Sequence, residues 1–249
     1  MAPETTCAIA VMAKAPRVGR VKTRLVPLLT AEGAQRMSAA FLRDITENIA
    51  LAATQAPISG WVAYAPAGLK AHFDGLLAAG TQLLLADGSA AAPEAVTGFG
   101  RCLLQAVEGL LARGFASACV LNSDSPTLPT AVLARLARLL AEPGERVVLG
   151  AAEDGGYYVL GMRRSHARLF ADIAWSTDQV AAQTRSRAAE LGLELVELPA
   201  WYDVDDRAAL RRLLAGEPAR ADGLMPYAAP ATAACARELD IAGLLAADI

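Results

Sequence analysis

Charge of one sign, aromatic rings, histidine and clustered cysteine are all scarce in this 249-residue chain. Lysine and arginine number 23 against 26 acids, a net charge of -3, so there is no basic field to grip nucleic acid and no polybasic anchor for a membrane surface. No apolar run reaches the roughly 20 residues needed to span a bilayer. Cys7, Cys102, Cys119 and Cys235 are scattered, with no CxxC and no histidine at ligand spacing, which argues against a disulfide framework and against structural zinc. The opening stretch MAPETTCAIAVMAKAP lacks a basic n-region and a long apolar h-region, and the expectation is a cytoplasmic protein. Repeats, low-complexity linkers and charge blocks are missing too. Aromatics make up only 5%, and the 54% hydrophobic content is swollen by 56 alanines, a composition that favours helices. The length suits one large domain or two small ones.

What is present is alternation. Short β-like runs (Cys7–Ala13, Trp61–Ala65, Leu83–Ala86, Ala118–Asn122, Val147–Ala151, Tyr158–Met162, Leu193–Leu198) are interleaved with helical ones (Ala31–Ala53, Arg101–Arg113, Pro129–Leu140, Gln179–Leu191, Arg207–Leu214). In the first helix Met37, Phe41, Ile45 and Ile49 recur at a spacing of four. This pattern predicts a mostly parallel sheet covered by helices on both faces, a three-layer α/β/α fold. Tyr158–Met162 is expected to run antiparallel, because only a Gly-Gly turn separates it from the preceding strand. In such sheets ligands bind beyond the carboxyl ends of the strands, so the residues that follow each strand matter most.

After the first strand come Lys14, Arg17, Arg20, Lys22 and Arg24, five cations in eleven positions with no acid among them. Cations and backbone N–H groups at a strand-to-helix turn suit a phosphate or diphosphate. The segment is neither a Walker A loop nor a GxGxxG fingerprint. After the fourth strand comes Asn122-Ser123-Asp124-Ser125-Pro126. Asp124 is placed to hold a divalent cation or to cap the next helix, a task Ser125 or Thr127 would do equally well. Asn122 stands where a haloacid dehalogenase-type phosphatase would need its nucleophilic Asp. After the fifth strand, Glu153-Asp154-Gly155-Gly156 reads as a hairpin turn whose acids can also meet a hydroxyl or act as a base. Trp175-Ser176-Thr177-Asp178 precedes a helix, with Ser176 or Thr177 as its expected N-cap. Asp203, Asp205 and Asp206 follow the last strand. Asp206 suits a helix N-terminus, while Asp203 and Asp205 lie early enough to reach the crevice.

The strings MAKAPRVGRVKTRL, NSDSPTLP, GAAEDGGYYVLGM, WSTDQV and LPAWYDVDDRAAL, in that order over roughly residues 8–214, resemble the DUF2064 family. That family is glycosyltransferase-A-like, and many of its members are assigned to arsenosugar biosynthesis as glycosyltransferases. The resemblance implies the nucleotide-diphospho-sugar transferase fold, related to molybdopterin and 2-phospholactate nucleotidyltransferases. It implies a transferase domain over residues 1–216, with 217–249 as an extension packing on it. It implies Mg²⁺ or Mn²⁺ as cofactor, on Asp124 and on Asp205, with Asp203 as the alternative second ligand. Ala13, Lys14, Pro16, Lys22, Thr23 and Arg24 would bind the nucleotide diphosphate. Asp124 and Asp154 would be catalytic. Glu153, Gly155, Gly156, Trp175, Ser176, Thr177 and Asp178 would contact the sugar or the acceptor.

Three readings follow from the residues and the resemblance. The first is a metal-dependent glycosyltransferase using a nucleotide sugar and a small-molecule acceptor. The second is a nucleotidyltransferase, and the third a non-catalytic nucleotide-sugar binder. Neither nucleic acid nor membrane is expected as a partner.

Overall fold

In the computed structural model, which describes residues 6–26, 28–216 and 223–247, the first strand sets the plan. In β1 (Cys7–Lys14) nearly every residue is buried, because side chains that alternate across a strand meet a different layer on each side. Cys7, Ile9, Val11 and Ala13 pack into one core, and Ala8 and Ala10 into another.

The first core is closed by α1 (Ala31–Ala52) and α3 (Thr130–Ala141). The fourfold spacing in α1 turns Met37, Phe41, Ile45 and Ile49 inward, all at most 3% exposed. Each such side chain contributes about 1.5–3 kcal/mol on burial. Thr30 caps α1 by accepting a hydrogen bond from the Gly33 N–H at 3.0 Å. The second core is closed by α2 (Phe99–Leu111), whose Leu103, Leu104, Val107 and Leu110 face the sheet, and by α4 (Val180–Glu190).

The remaining strands are β2 (Ile58–Ala65), β3 (Gln82–Leu85), β4 (Ser117–Leu121), β5 (Arg146–Ala152), β6 (Tyr157–Met162) and β7 (Glu194–Trp201). They form one seven-stranded sheet in the order β3-β2-β1-β4-β6-β5-β7. β6 runs antiparallel to both β4 and β5, and the other pairings are parallel. The expected fold, and the expected antiparallel strand, are therefore present. The chain builds outward from β1 to β2 and β3, then returns to place β4 on the other side of β1. The β1/β4 junction is thus the switch point, where an open α/β sheet forms its ligand crevice.

After β7 come α5 (Arg207–Ala215), α6 (Pro230–Glu238) and α7 (Ile241–Ala246). The expected start of an extension at 217 falls at residues 217–222, outside the described residues. Within the described part, α6 packs on α1. Buried Asp44 of α1 ties the two together by accepting the N–H groups of Ala231 at 3.0 Å and Thr232 at 2.6 Å. Burial raises its pKa. Neither α6 nor α7 was read from the sequence, since short Ala-rich segments carry little amphipathic signal. Among the described residues no helix is long and apolar enough to cross a membrane.

Candidate active site

A cavity of about 550 Å³ opens at the carboxyl ends of β1 and β4. Met12, Ala13 and Lys14 line it from β1, and Arg20 through Arg24 from the following loop. Ser123 and Asp124 come from the end of β4, and Asp205 from the segment after β7. Ser176 closes one side, with Phe99 and Cys102 of α2. Of the residues read from the sequence, Ala13, Lys14, Lys22, Thr23, Arg24, Asp124, Ser176 and Asp205 therefore meet here, from positions spread over most of the chain. A smaller cavity of about 360 Å³ lies at the opposite edge of the sheet, among Ala116, Gly144, Glu145, Arg163 and Arg164. There Arg163 donates to the Glu142 and Gly144 carbonyls, and Glu145 pairs with Arg164 and His166, so its charged groups are already engaged within the protein.

Lys22 organises the floor. Its backbone is left-handed, φ 47°, and its side chain is 6% exposed. The ammonium donates to Asp124 Oδ1, to Asp205 Oδ1 at 2.8 Å and to the Val204 carbonyl at 2.8 Å. It also sits 4.9 Å from the centre of the Phe41 ring, a cation–π contact. Burial disfavours the charge, but the two carboxylates outweigh it and raise the lysine pKa. The ends of β4 and β7 are further joined where the Val204 N–H donates to the Asp124 carbonyl at 2.8 Å.

By contrast, no carboxylate among the described residues pairs with Lys14, Arg20 or Arg24, all exposed at the cavity wall. Arg20 belongs to the basic run but was not singled out from it. Phe99 and Cys102 were missed because nothing in an amphipathic helix start marks its outward side as a cavity wall.

Asp203 takes a different role from Asp205. Its Oδ1 accepts from Asn122 Nδ2 at 2.6 Å and Ser125 Oγ at 2.5 Å. Burial pushes its pKa up to about 7, with Asp124 and Asp154 adding repulsion. It is a strut between two strand ends and does not line the cavity. Asp205, and not Asp203, shares the Lys22 ammonium with Asp124. Asp124 does not cap α3, whose N-cap is Pro129 without a side-chain bond. Ser125 and Thr127 do not cap it either, being engaged with Asp203 and with Tyr202 and Trp201.

Several residues expected at the site lie off the cavity wall: Glu153, Trp175 and Thr177, read as sugar or acceptor contacts, Asp154, read as catalytic, and Pro16, read as a diphosphate contact. Glu153 forms a two-toothed pair with Arg212 at 2.6 and 3.2 Å. Asp154 is exposed at the β5–β6 turn, where its Oδ1 accepts the Gly156 N–H at 2.9 Å. Pro16 is buried, and its carbonyl accepts from Gln35 Nε2 at 3.3 Å. Trp175 packs edge-on against Phe99 and Tyr157. Thr177 Oγ1 donates to the Ala174 carbonyl at 2.7 Å. Neither Ser176 nor Thr177 is the N-cap of α4, because the helix begins later, after Gln179. The segment is instead held by a backbone docking. Gly155 has φ +90°, and a Cβ there would stand 2.1 Å from the Asp178 carbonyl oxygen. The Ala181 N–H donates to the Gly155 carbonyl at 2.9 Å. That close approach presses Asp178 against the turn and leaves Ser176 at the cavity.

A divalent ion needs hard oxygen donors converging on one point. Asp124, Asp205 and the Val204 carbonyl supply such a set, and the point they share is held by the Lys22 ammonium. Among the described residues no group of three or more His, Cys, Asp or Glu side chains is arranged to hold a metal ion. Asp124 and Asp205 offer hard oxygen donors of the chemistry a divalent cation takes.

Residues 48–177 match the family described as "Uncharacterized protein conserved in bacteria (DUF2064)". No curated protein matches the chain. The fold is similar to that of a protein from Desulfovibrio desulfuricans G20, placed provisionally by its name among the nucleotide-diphospho-sugar transferases (TM-score 0.78, 24% identity, 96% of each chain). It is also similar to CMP:2-keto-3-deoxy-manno-octonic acid synthetase in complex with CTP (TM-score 0.54, 13% identity, 86% of this chain and 100% of the other). A third likeness is to a cytidylyltransferase from Leptospira borgpetersenii serovar Hardjo-bovis (TM-score 0.53, 10% identity, 95% of this chain and 96% of the other). At these identities the likeness is one of fold.

Proposed function

The chain belongs to the DUF2064 family, and from that premise we propose that it is a transferase acting on a nucleotide diphosphate sugar, moving the glycosyl group to a small acceptor. The observation that carries this reading is the row of Lys14, Arg20 and Arg24, cations without carboxylate partners among the described residues, on the wall of a cavity at the switch point of the sheet. Exposed, unpaired cations beside strand ends are placed to receive an anion. Negative charge grows on the diphosphate as the sugar leaves, and fixed cations stabilise it where it develops. When bound, Mg²⁺ or Mn²⁺ supplies further neutralisation of the diphosphate. Asp154, exposed on the turn at the same edge of the sheet, is the candidate base for the acceptor hydroxyl. Ser176 is the residue of the Trp175–Asp178 segment that reaches the cavity and would contact the sugar.

A second reading is a nucleotidyltransferase, in which a phosphorylated acceptor attacks the α-phosphate of a nucleoside triphosphate and pyrophosphate leaves. The three cations of the cavity wall, Lys14, Arg20 and Arg24, without carboxylate partners among the described residues, suit the charge of a triphosphate and favour keeping it. One experiment addresses both. Nucleoside diphosphates, triphosphates and sugar nucleotides are screened by thermal shift with and without Mn²⁺. A ligand at 100 times its Kd stabilises by about 2.7 kcal/mol. Release of nucleoside diphosphate from a sugar nucleotide supports the first reading, and release of pyrophosphate from a triphosphate supports the second. No shift with any of these ligands would overturn both.

A further inference from the structure

Lys22 has three N–H donors and meets three oxygens, those of Asp124, Asp205 and Val204, so its hydrogen-bonding capacity is filled. The two carboxylate side chains are 30% and 40% exposed, while the Lys22 side chain that reaches between them is 6% exposed. A cation that approaches from the cavity therefore meets carboxylates whose charge is already compensated from behind. A divalent ion bound to the same two oxygens would lie within a few ångströms of the ammonium, in a part-buried setting where like charges repel strongly. Either occupant satisfies the pair, and together they do not.

We infer that Lys22 and a divalent cation are alternative occupants of the Asp124–Asp205 pair, and that an ion binding there displaces the ammonium toward the cavity. The inference rests on the metal part of the reading above and extends it. Lys22 is a positioning residue in the empty protein, neutralising the acids and joining the β1 loop to the ends of β4 and β7. Once displaced, it becomes a fourth cation beside Lys14, Arg20 and Arg24. The swing needs only rotation of the lysine stem, since Lys22 lines the cavity already. The ion and the phosphate-binding charge are thereby coupled: charge that enters on the cation appears as an ammonium on the anion side.

The test uses Mn²⁺ alone, titrated by electron paramagnetic resonance into the nucleotide-free wild-type protein, Lys22→Met and Lys22→Arg. Methionine keeps an unbranched apolar stem against Phe41. Lys22→Met should bind Mn²⁺ at least about ten-fold more tightly than wild type, or about 1.4 kcal/mol, and Lys22→Arg no more tightly than wild type. Equal affinity in wild type and Lys22→Met overturns the exchange and leaves the metal reading standing. Absence of Mn²⁺ binding in all three proteins overturns both. Should Lys22→Met fail to fold, the wild-type protein decides the matter. Acylation of lysine amines, read by mass spectrometry, should rise several-fold at Lys22 as Mn²⁺ is added, relative to other lysines. Unchanged labelling of Lys22 across the titration overturns the proposal.

Discussion

Replacing Gly155 by alanine tests whether the Trp175–Asp178 segment is held by backbone contact rather than by side chains. The new Cβ would stand 2.1 Å from the Asp178 carbonyl oxygen, so one of the two segments must retreat. The backbone at φ +90° adds strain of about 1–3 kcal/mol for any residue with a side chain. Retreat also breaks the hydrogen bond from Ala181 to Gly155, worth about 1 kcal/mol net. A loss of about 3 kcal/mol is expected, which for a chain of this length lowers the Tm by roughly 6–12 °C. Urea unfolding gives the free energy, and fluorescence of Trp175, packed edge-on against Phe99 and Tyr157, reports local release. Because Ser176 reaches the cavity from this segment, affinity for a sugar nucleotide should fall while affinity for the bare nucleoside diphosphate holds. A variant within about 0.5 kcal/mol of wild type, the range of an ordinary surface change, would refute the docking argument.

Asp124→Asn should abolish turnover with the fold retained, since it keeps the shape and removes one charge of the pair. A folded, fully active variant would remove Asp124 from the chemistry. Lys14→Ala and Arg24→Ala should each weaken nucleotide diphosphate binding about ten-fold and leave melting nearly unchanged. Calorimetry checks both, and unchanged affinity in the pair would dismiss the cationic wall. Asp44→Ala should cost about 2–3 kcal/mol, because two N–H groups at the start of α6 lose their acceptor. Burial holds the folded pKa of Asp44 above its unfolded value, so the stability it contributes is whole below the unfolded pKa and declines as pH rises through the folded one. Wild type should therefore lose stability relative to Asp44→Ala as pH rises from about 4, the ordinary aspartate pKa, and parallel stability curves would contradict this.

The strands and the antiparallel β6 were legible because buried parallel strands write themselves as unbroken apolar runs, and because two glycines cannot span a crossover. The basic loop and Asp124 were legible because charges directly after such runs stand out. Lys22 was read as a phosphate ligand because its charge was visible and its partners were not. Asp124 and Asp205 lie more than a hundred residues downstream, and only folding brings them to its ammonium. The same blindness made Glu153 look available, when Arg212, on a helix 59 residues away, already holds it. Asp203 and Asp205 were indistinguishable in the string, since nothing in it says which would face Asn122 and Ser125 and which the cavity.

The reversed direction of β6 has an architectural consequence. It puts the β5–β6 turn on the same edge of the sheet as the ends of β1, β4 and β7, the edge at which the crevice opens. A hairpin can be lengthened at its tip without altering the register of any strand. The cationic wall is built from the end of β1 and the loop that follows it, on the opposite side of the switch point. That tip can therefore change in length while the cationic wall stays as it is. A longer β5–β6 turn would have to keep Gly155 where Asp178 and Ala181 dock on it, so the tip can grow only beside that contact.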